Sequence, residues 1–207
     1  MRIIYGVNSE GMGHATRSSV VIDHLQAKGH EVHIFASGRV YEFLAKKYEH
    51  TYQIKGFNLV YKDDKLLNMH SFFTVLRNLP KGLIPTFRTL AQKFAEIEPH
   101  VVISDFEFFT AFIAKNIGTP VISANNISLM SKGKIDPSLE FKHLYSRFFA
   151  KNTDTWASFR ADQYVIPTFF FPQTRKKNVI LTNPAIRQKI QQAKVATKDH
   201  VLVYHTS

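Results

Sequence analysis

Between Asn8 and Arg17 the chain reads Asn-Ser-Glu-Gly-Met-Gly-His-Ala-Thr-Arg, and Glu10, His14 and Arg17 carry groups that bind charge or move protons. His14 and Arg17 stand one helical turn apart, so a helix would set them on one face. Gly11 and Gly13 lack a Cβ, can enter the left-handed region and let backbone N–H groups approach a ligand. A helix starting near His14 would aim its unpaired N–H donors at the same place. Such a loop suits an anion or a polar sugar. A tight turn that merely connects two elements would use the same glycines, but the histidine and arginine favour a functional loop.

A second chemical group stands at Asp105. The apolar run His100 to Ser104 ends in Asp105-Phe106-Glu107 and reads as a strand. In a parallel sheet its end lies on the same edge as the glycine loop, which brings Asp105 within reach of His14. An imidazole held by a carboxylate keeps its outer nitrogen oriented to take a proton from an attacking hydroxyl. A helix-capping Asp105 beside an ordinary surface His14 is the plainer alternative; their shared edge favours the first.

The loop is not a dinucleotide fingerprint. Thr16 holds the third small-residue position, and the following strand ends in Ser37-Gly38-Arg39 without a carboxylate for a ribose diol. NADP binding survives only through Arg39 meeting a 2′-phosphate. No Gly-Lys-Ser/Thr follows the loop, so it is no P-loop either.

The elements that must position these residues alternate in type. Residues 2–7 read as a buried strand, and Ala15, Ser18, Val21, Ile22 and Leu25 recur at helical spacing up to a stop at Gly29. Glu31 to Ala36 completes a strand–helix–strand unit. Arg39 to Lys47 suits a helix, followed by short strands at Thr51–Ile54 and Phe57–Tyr61. Helical patterns with Met69, Phe72, Phe73 and Leu76, then with Phe87, Leu90, Ala91, Phe94 and Ala95, precede Pro99. After the Asp105 strand come a helix from Phe109 to Asn116 and a strand from Pro120 to Ala124. Asp136-Pro137 opens a helix with Phe141, Leu144, Tyr145, Phe148 and Phe149, and strands follow at Gln163–Ile166 and Asn178–Leu181. This alternation predicts an α/β, Rossmann-like three-layer sandwich with a mainly parallel sheet and a ligand crevice at the strands' carboxyl ends. After Thr182-Asn183-Pro184 a polar helix from Ile186 to Val195 and an apolar strand from His200 to His205 read as the start of another unit. The expected division is therefore a domain over 1–187 and, over 188–207, a linker with the first strand of a truncated second domain.

With 207 residues, 44% of them apolar and 18 Phe, the chain can bury a large core. It has no apolar run of spanning length and no signal-peptide core, and without cysteine it forms neither disulfides nor thiolate metal sites, which fits the cytoplasm. Twenty-seven Lys and Arg against 16 Asp and Glu give a net charge of +11, favouring anionic partners. The basic residues are dispersed and no stacking or recognition-helix motif stands out, so nucleic acid is not expected. Two aromatic-basic segments, Phe72, Phe73, Arg77, Lys81 with Arg88, and Arg147, Phe148, Phe149, Lys151 with Trp156, suit a core or a peripheral contact with an anionic membrane.

The run Arg2-Ile-Ile-Tyr-Gly-Val, the Gly11-Met-Gly-His14-Ala-Thr-Arg17 loop, His30-Glu-Val-His-Ile-Phe, Ser104-Asp105-Phe106 and Thr182-Asn-Pro-Ala-Ile-Arg187 together resemble the amino-terminal half of GT-B glycosyltransferases. The resemblance covers essentially the whole chain and is closest to enzymes related to the peptidoglycan N-acetylglucosaminyltransferase and to the glucuronosyltransferase-like group. It implies an acceptor-binding half whose partner half holds the nucleotide-sugar, a UDP-sugar by expectation, with no other cofactor and no metal. It implies His14 as the base of an inverting transfer and Asp105 as its support. Glu10, Gly11, Gly13, Arg17, Glu107 and Asn125 are then expected to shape the loop or contact a small-molecule, saccharide or lipid-linked acceptor. A non-catalytic sugar- or anion-binding module is the alternative.

Overall fold

The computed structural model describes residues 1–55, 61–62, 65–66, 84–134, 154, 158 and 160–194, with single positions 196, 197, 199, 201 and 203. The expected strand Phe57–Tyr61 up to its last residue, the Phe72–Phe73 helix and the helix after Asp136-Pro137 lie outside these residues. So do both aromatic-basic segments apart from Arg88.

In chain order the elements are β1 (Arg2–Val7), α1 (Met12–Ala27), β2 (Glu31–Ala36), α2 (Gly38–Ala45), β3 (Thr51–Gln53), β4 (Tyr61–Lys62) and β5 (Lys65–Leu66). A helix α3 over 84–97 follows. Then come β6 (Val101–Asp105), α4 (Phe108–Asn116), β7 (Val121–Ala124), α5 (Leu129–Lys132), β8 (Gln163–Pro167), β9 (Val179–Thr182) and a helical turn at Gln188–Gln191. Seven strands form one sheet in the order β3-β2-β1-β6-β7-β8-β9, and every neighbouring pair is parallel. β4 and β5 form a separate antiparallel pair.

The sheet is buried on both faces, which is why its strands read as continuous apolar runs rather than alternating ones. Ile3, Tyr5 and Val7 of β1 pack with Ala15 and Ile22 of α1 and Val40 and Leu44 of α2 on one side. Ile4 turns to the other side and joins Leu90, Phe94, Ile97 and Phe109 from α3 and α4. Gly6 is required by closeness: a Cβ there would meet Thr110 and lie 3.1 Å from Cβ of Glu107, at the start of α4.

Three sequence expectations are corrected. In α3 the buried line runs through Thr86, Leu90, Phe94 and Ile97 with Phe87 partly covered, while Ala91 and Ala95 are exposed. Spacings of four and three residues keep that line on one face, and the two alanines fall beyond its edge. The polar segment after Pro184 is helical only over Gln188–Gln191, and of the expected strand His200–His205 the described Val201 and Val203 belong to no strand. Those two valines are exposed and join no ladder among the described residues, and apolar alternation alone does not hold a strand.

The chain builds β1, β2 and β3 outward in one direction and then returns to start β6 on the other side of β1. That reversal creates a crevice between the carboxyl ends of β1 and β6, the position where open α/β sheets bind ligands. Val7 is paired in register with Asp105 at this point.

Candidate functional site

The loop leaving β1 is tied to the end of β6 by Asn8 N–H donating to the carbonyl of Asp105 at 3.1 Å. Asn8 Oδ1 accepts the Glu10 N–H at 3.2 Å, and Gly11, with φ 85°, turns the chain into α1 without any side-chain cap. Only Gly11 uses the left-handed freedom expected of both glycines; Gly13 lies inside the first helical turn. A Cβ on either would meet no atom within 4 Å, so the loop borders open space.

The first two turns of α1 set His14, Arg17 and Ser18 on one face, toward the fully buried Asp105. His14 Nδ1 lies 2.9 Å from Asp105 Oδ1, and Ser18 Oγ donates to Oδ2 at 2.9 Å. Arg17 donates through Nη2 to Oδ1 and through Nε to Oδ2 at 3.2 Å, while Nη1 donates to Asn126 Oδ1 at 2.8 Å. Arg17 Nη2 and His14 Nδ1 are 3.0 Å apart. Arginine only donates, so with Nδ1–H given to the carboxylate these two nitrogens are neighbours around one anion, not partners. Nδ1 is thereby the donor to the carboxylate, and in the neutral ring with that tautomer Nε2 carries the lone pair. Among the described residues Nε2 has no partner. Burial alone would push the Asp105 carboxyl up, but His14 and Arg17 outweigh it and hold it below the ordinary aspartate range.

Phe106 follows with φ 60°, in the left-handed region a bulky side chain avoids, and its ring stacks on the His14 imidazole at 6.3 Å between centroids. Ser18 was legible only as a member of the buried stripe, although its spacing of four from His14 also puts it on the functional face. Asn126 and Phe106 carry no sequence signal of their roles, because each depends on a strand end meeting α1.

Two expected contact residues face inward. Glu107 is buried and caps α4: Oε1 accepts from Phe109 N–H at 2.9 Å, and Oε2 from Thr110 N–H at 2.8 Å and its hydroxyl at 2.6 Å. Burial pushes its carboxyl above the ordinary glutamate value. Asn125 is buried too, donating to Ser123 Oγ at 2.9 Å and accepting the Ser128 N–H at 2.9 Å. It adjoins a closed network in which buried Asp154 accepts from Ser128 at 2.5 Å, Ser158 at 2.8 Å, Ser131, and Lys132 at 3.2 Å. Both side chains are engaged inside the fold, Glu107 in capping α4 and Asn125 among core hydroxyls. Arg17, also expected to touch an acceptor, donates to Asp105 and Asn126. Glu10 and the two glycines remain beside the open loop. Among the described residues no group of three His, Cys, Asp or Glu could hold a metal ion.

An all-parallel, Rossmann-like sheet flanked by helices has the architecture of GT-B proteins. The chain belongs to glycosyl transferase family 1, whose model matches residues 1–207. An uncharacterized glycosyltransferase from Methanosarcina acetivorans is 25% identical over 217 aligned positions, covering 100% of this chain and 55% of the relative. Among solved structures, MurG of Acinetobacter baumannii matches with a TM-score of 0.52 at 14% identity, over 93% of this chain and 48% of that one. CalG4, the calicheamicin glycosyltransferase, gives 0.51 at 12% identity, over 89% and 53%. The UDP-GlcNAc 2-epimerase from Neisseria meningitidis bound to UDP-GlcNAc gives 0.51 at 14% identity, over 89% and 47%. The chain thus spans about half the length of these relatives.

Proposed function

We propose that residues 1–187 are the acceptor-binding half of an inverting glycosyltransferase that uses a nucleotide-sugar, a UDP-sugar by the family resemblance, with the donor held by a second half of the complete protein. The observation that carries this reading is the contact of His14 Nδ1 with the buried Asp105. The fold by itself is shared with an epimerase and does not choose the reaction, so the side chains at the switch point must.

In this reading an acceptor hydroxyl enters beside Gly11 and Gly13 and donates its hydrogen bond to His14 Nε2. As the hydroxyl oxygen forms its bond to the anomeric carbon, its proton passes to Nε2 and the bond to the nucleotide diphosphate breaks, which inverts the anomeric centre. Asp105 balances the imidazolium that results, and Arg17 and Ser18 keep the carboxylate aimed at Nδ1. Phe106 limits rotation of the ring. The experiment is a transfer screen on the complete protein with a panel of nucleotide-sugars and hydroxyl acceptors, the product anomer being read by NMR. Transfer with inversion that disappears in His14→Ala while donor binding persists supports the assignment; full turnover in His14→Ala, or a retained anomer, overturns it.

A further inference from the structure

The loop that leaves β1 is held from two sides. Asn8 ties it to the end of β6 through the Asp105 carbonyl, and the next residue ties it to the end of β2: Ser9 Oγ accepts the Ser37 N–H at 2.9 Å and the Ser37 hydroxyl at 2.5 Å. The Ser9 carbonyl in turn accepts the N–H of Gly11 at 3.1 Å, at the residue whose φ of 85° turns the chain into α1. Twenty-eight positions separate the two serines, so only the parallel pairing of β1 with β2 brings them together.

Ser37 makes this contact instead of capping its own helix. It stands at the N-cap of α2, where a serine ordinarily turns its oxygen back to an N–H of the first helical turn. α2 has no side-chain cap, and both the hydroxyl and the N–H of Ser37 go to Ser9. Ser37 is buried, so water does not replace Ser9 as the partner of these two groups. A hydroxyl has two acceptor positions, and on Ser9 both are filled by Ser37, which fixes its side chain and the height of the loop above β2.

We propose that Ser9, clasped by Ser37, is a positioning residue that holds the glycine loop in the conformation that receives the acceptor. The proposal rests on the acceptor hydroxyl entering beside Gly11 and Gly13. The clasp acts on acceptor affinity and not on the chemical step, because His14 is placed by α1 and by Asp105 rather than by Ser9. Once the loop is released, only the molecules with the loop in place bind acceptor. The apparent affinity falls by that fraction, while saturating acceptor draws the loop back.

The test compares Ser9→Ala, Ser37→Ala, the double alanine variant and Ser9→Thr in the complete protein, by steady-state kinetics and by amide hydrogen exchange. Ser9→Ala removes both hydrogen bonds and should raise the acceptor KM about tenfold, with kcat within about twofold and the donor KM unmoved. Ser37→Ala keeps the N–H bond and should raise it about threefold. The double variant should be no worse than Ser9→Ala, since both act through one contact, and Ser9→Thr, which keeps Oγ, should restore the wild-type KM. Exchange at the Gly11 and Ser37 amides should quicken in Ser9→Ala. An unchanged acceptor KM in folded Ser9→Ala, an additive double variant, or a fall in kcat without a change in KM overturns the proposal. So does quickened exchange with no change in KM, which would make the clasp a brace of the fold alone. Circular dichroism melts report folding, and Ser37→Ala keeps the test valid should Ser9→Ala misfold. His14→Ala in the same assay judges the base assignment separately, whereas exchange reports the clasp whichever way that assignment falls.

Discussion

Asp105 and Asp154 are both fully buried carboxylates that meet a cation and a serine, yet the two neighbourhoods end differently. Around Asp154 every donor comes from within: Ser128, Ser131 and Ser158 supply hydroxyls, Lys132 supplies its ammonium, and Lys132 itself lies under cover, 4.6 Å from the Tyr164 ring centre. Around Asp105, one donor is an imidazole whose second nitrogen stays unpaired at the crevice. A closed network of this kind braces the fold. One that ends on an unpaired nitrogen can pass a proton. The difference lies in the last ligand of each carboxylate, not in its burial or its charge.

The comparison breaks most visibly through activity. In the complete protein His14→Ala should lower transfer by about 10²- to 10⁴-fold, the usual contribution of a general base, with the thermal melt nearly unchanged. Asp154→Asn should do the reverse: a loss of about 3 kcal/mol in urea unfolding from the uncompensated Lys132, with turnover kept below the melt. Lost turnover in a folded Asp154→Asn protein would erase the distinction. Gly6→Ala should cost about 1–3 kcal/mol, because the added methyl forces Thr110 and Glu107 away at the start of α4; an unchanged melt would show that α4 moves freely.

The smallest expected effects are in pH dependence, and they have opposite signs at two positions separated by one residue. The Asp105 carboxyl is held below its ordinary value of 3.8, so its contribution to stability is present above that value and lost as pH falls through its folded value. Glu107 is raised above 4.5, so its contribution is complete below that pH and is lost as pH rises toward its folded value. Urea midpoints from pH 3 to 7 should therefore show Asp105→Asn converging on the wild type in acid. Glu107→Gln should flatten the fall that Glu107 imposes as pH rises. The same slope in both variants would mean that the two carboxylates share one environment.

Much of the frame was legible because it rests on short-range rules. The apolar runs at 2–7, 31–36 and 100–104 read as doubly covered strands, and Gly29 and Gly118 end their helices with φ near 80° as the composition of those stops implies. His14 and Arg17 were legible as a pair because helical spacing fixes their face. The burial of Glu107 and Asn125 was not legible, because a polar residue at a strand end has the same sequence whether it turns to the crevice or to its own helix. The outcome there depends on which N–H groups and hydroxyls the neighbouring element presents.

The residues by themselves determined the alternation of strand and helix, the turn at Gly11 and the chemical kinds at hand: an imidazole, a guanidinium and a carboxylate spaced ninety-one positions from His14. Only the tertiary structure decided that β6 would lie beside β1, with Val7 in register with Asp105. Strand order follows from how helices cover the two faces of a sheet, a long-range packing choice on which local propensity is silent. That choice made Asp105 the anchor of His14, and left Asp154 sealed among serines.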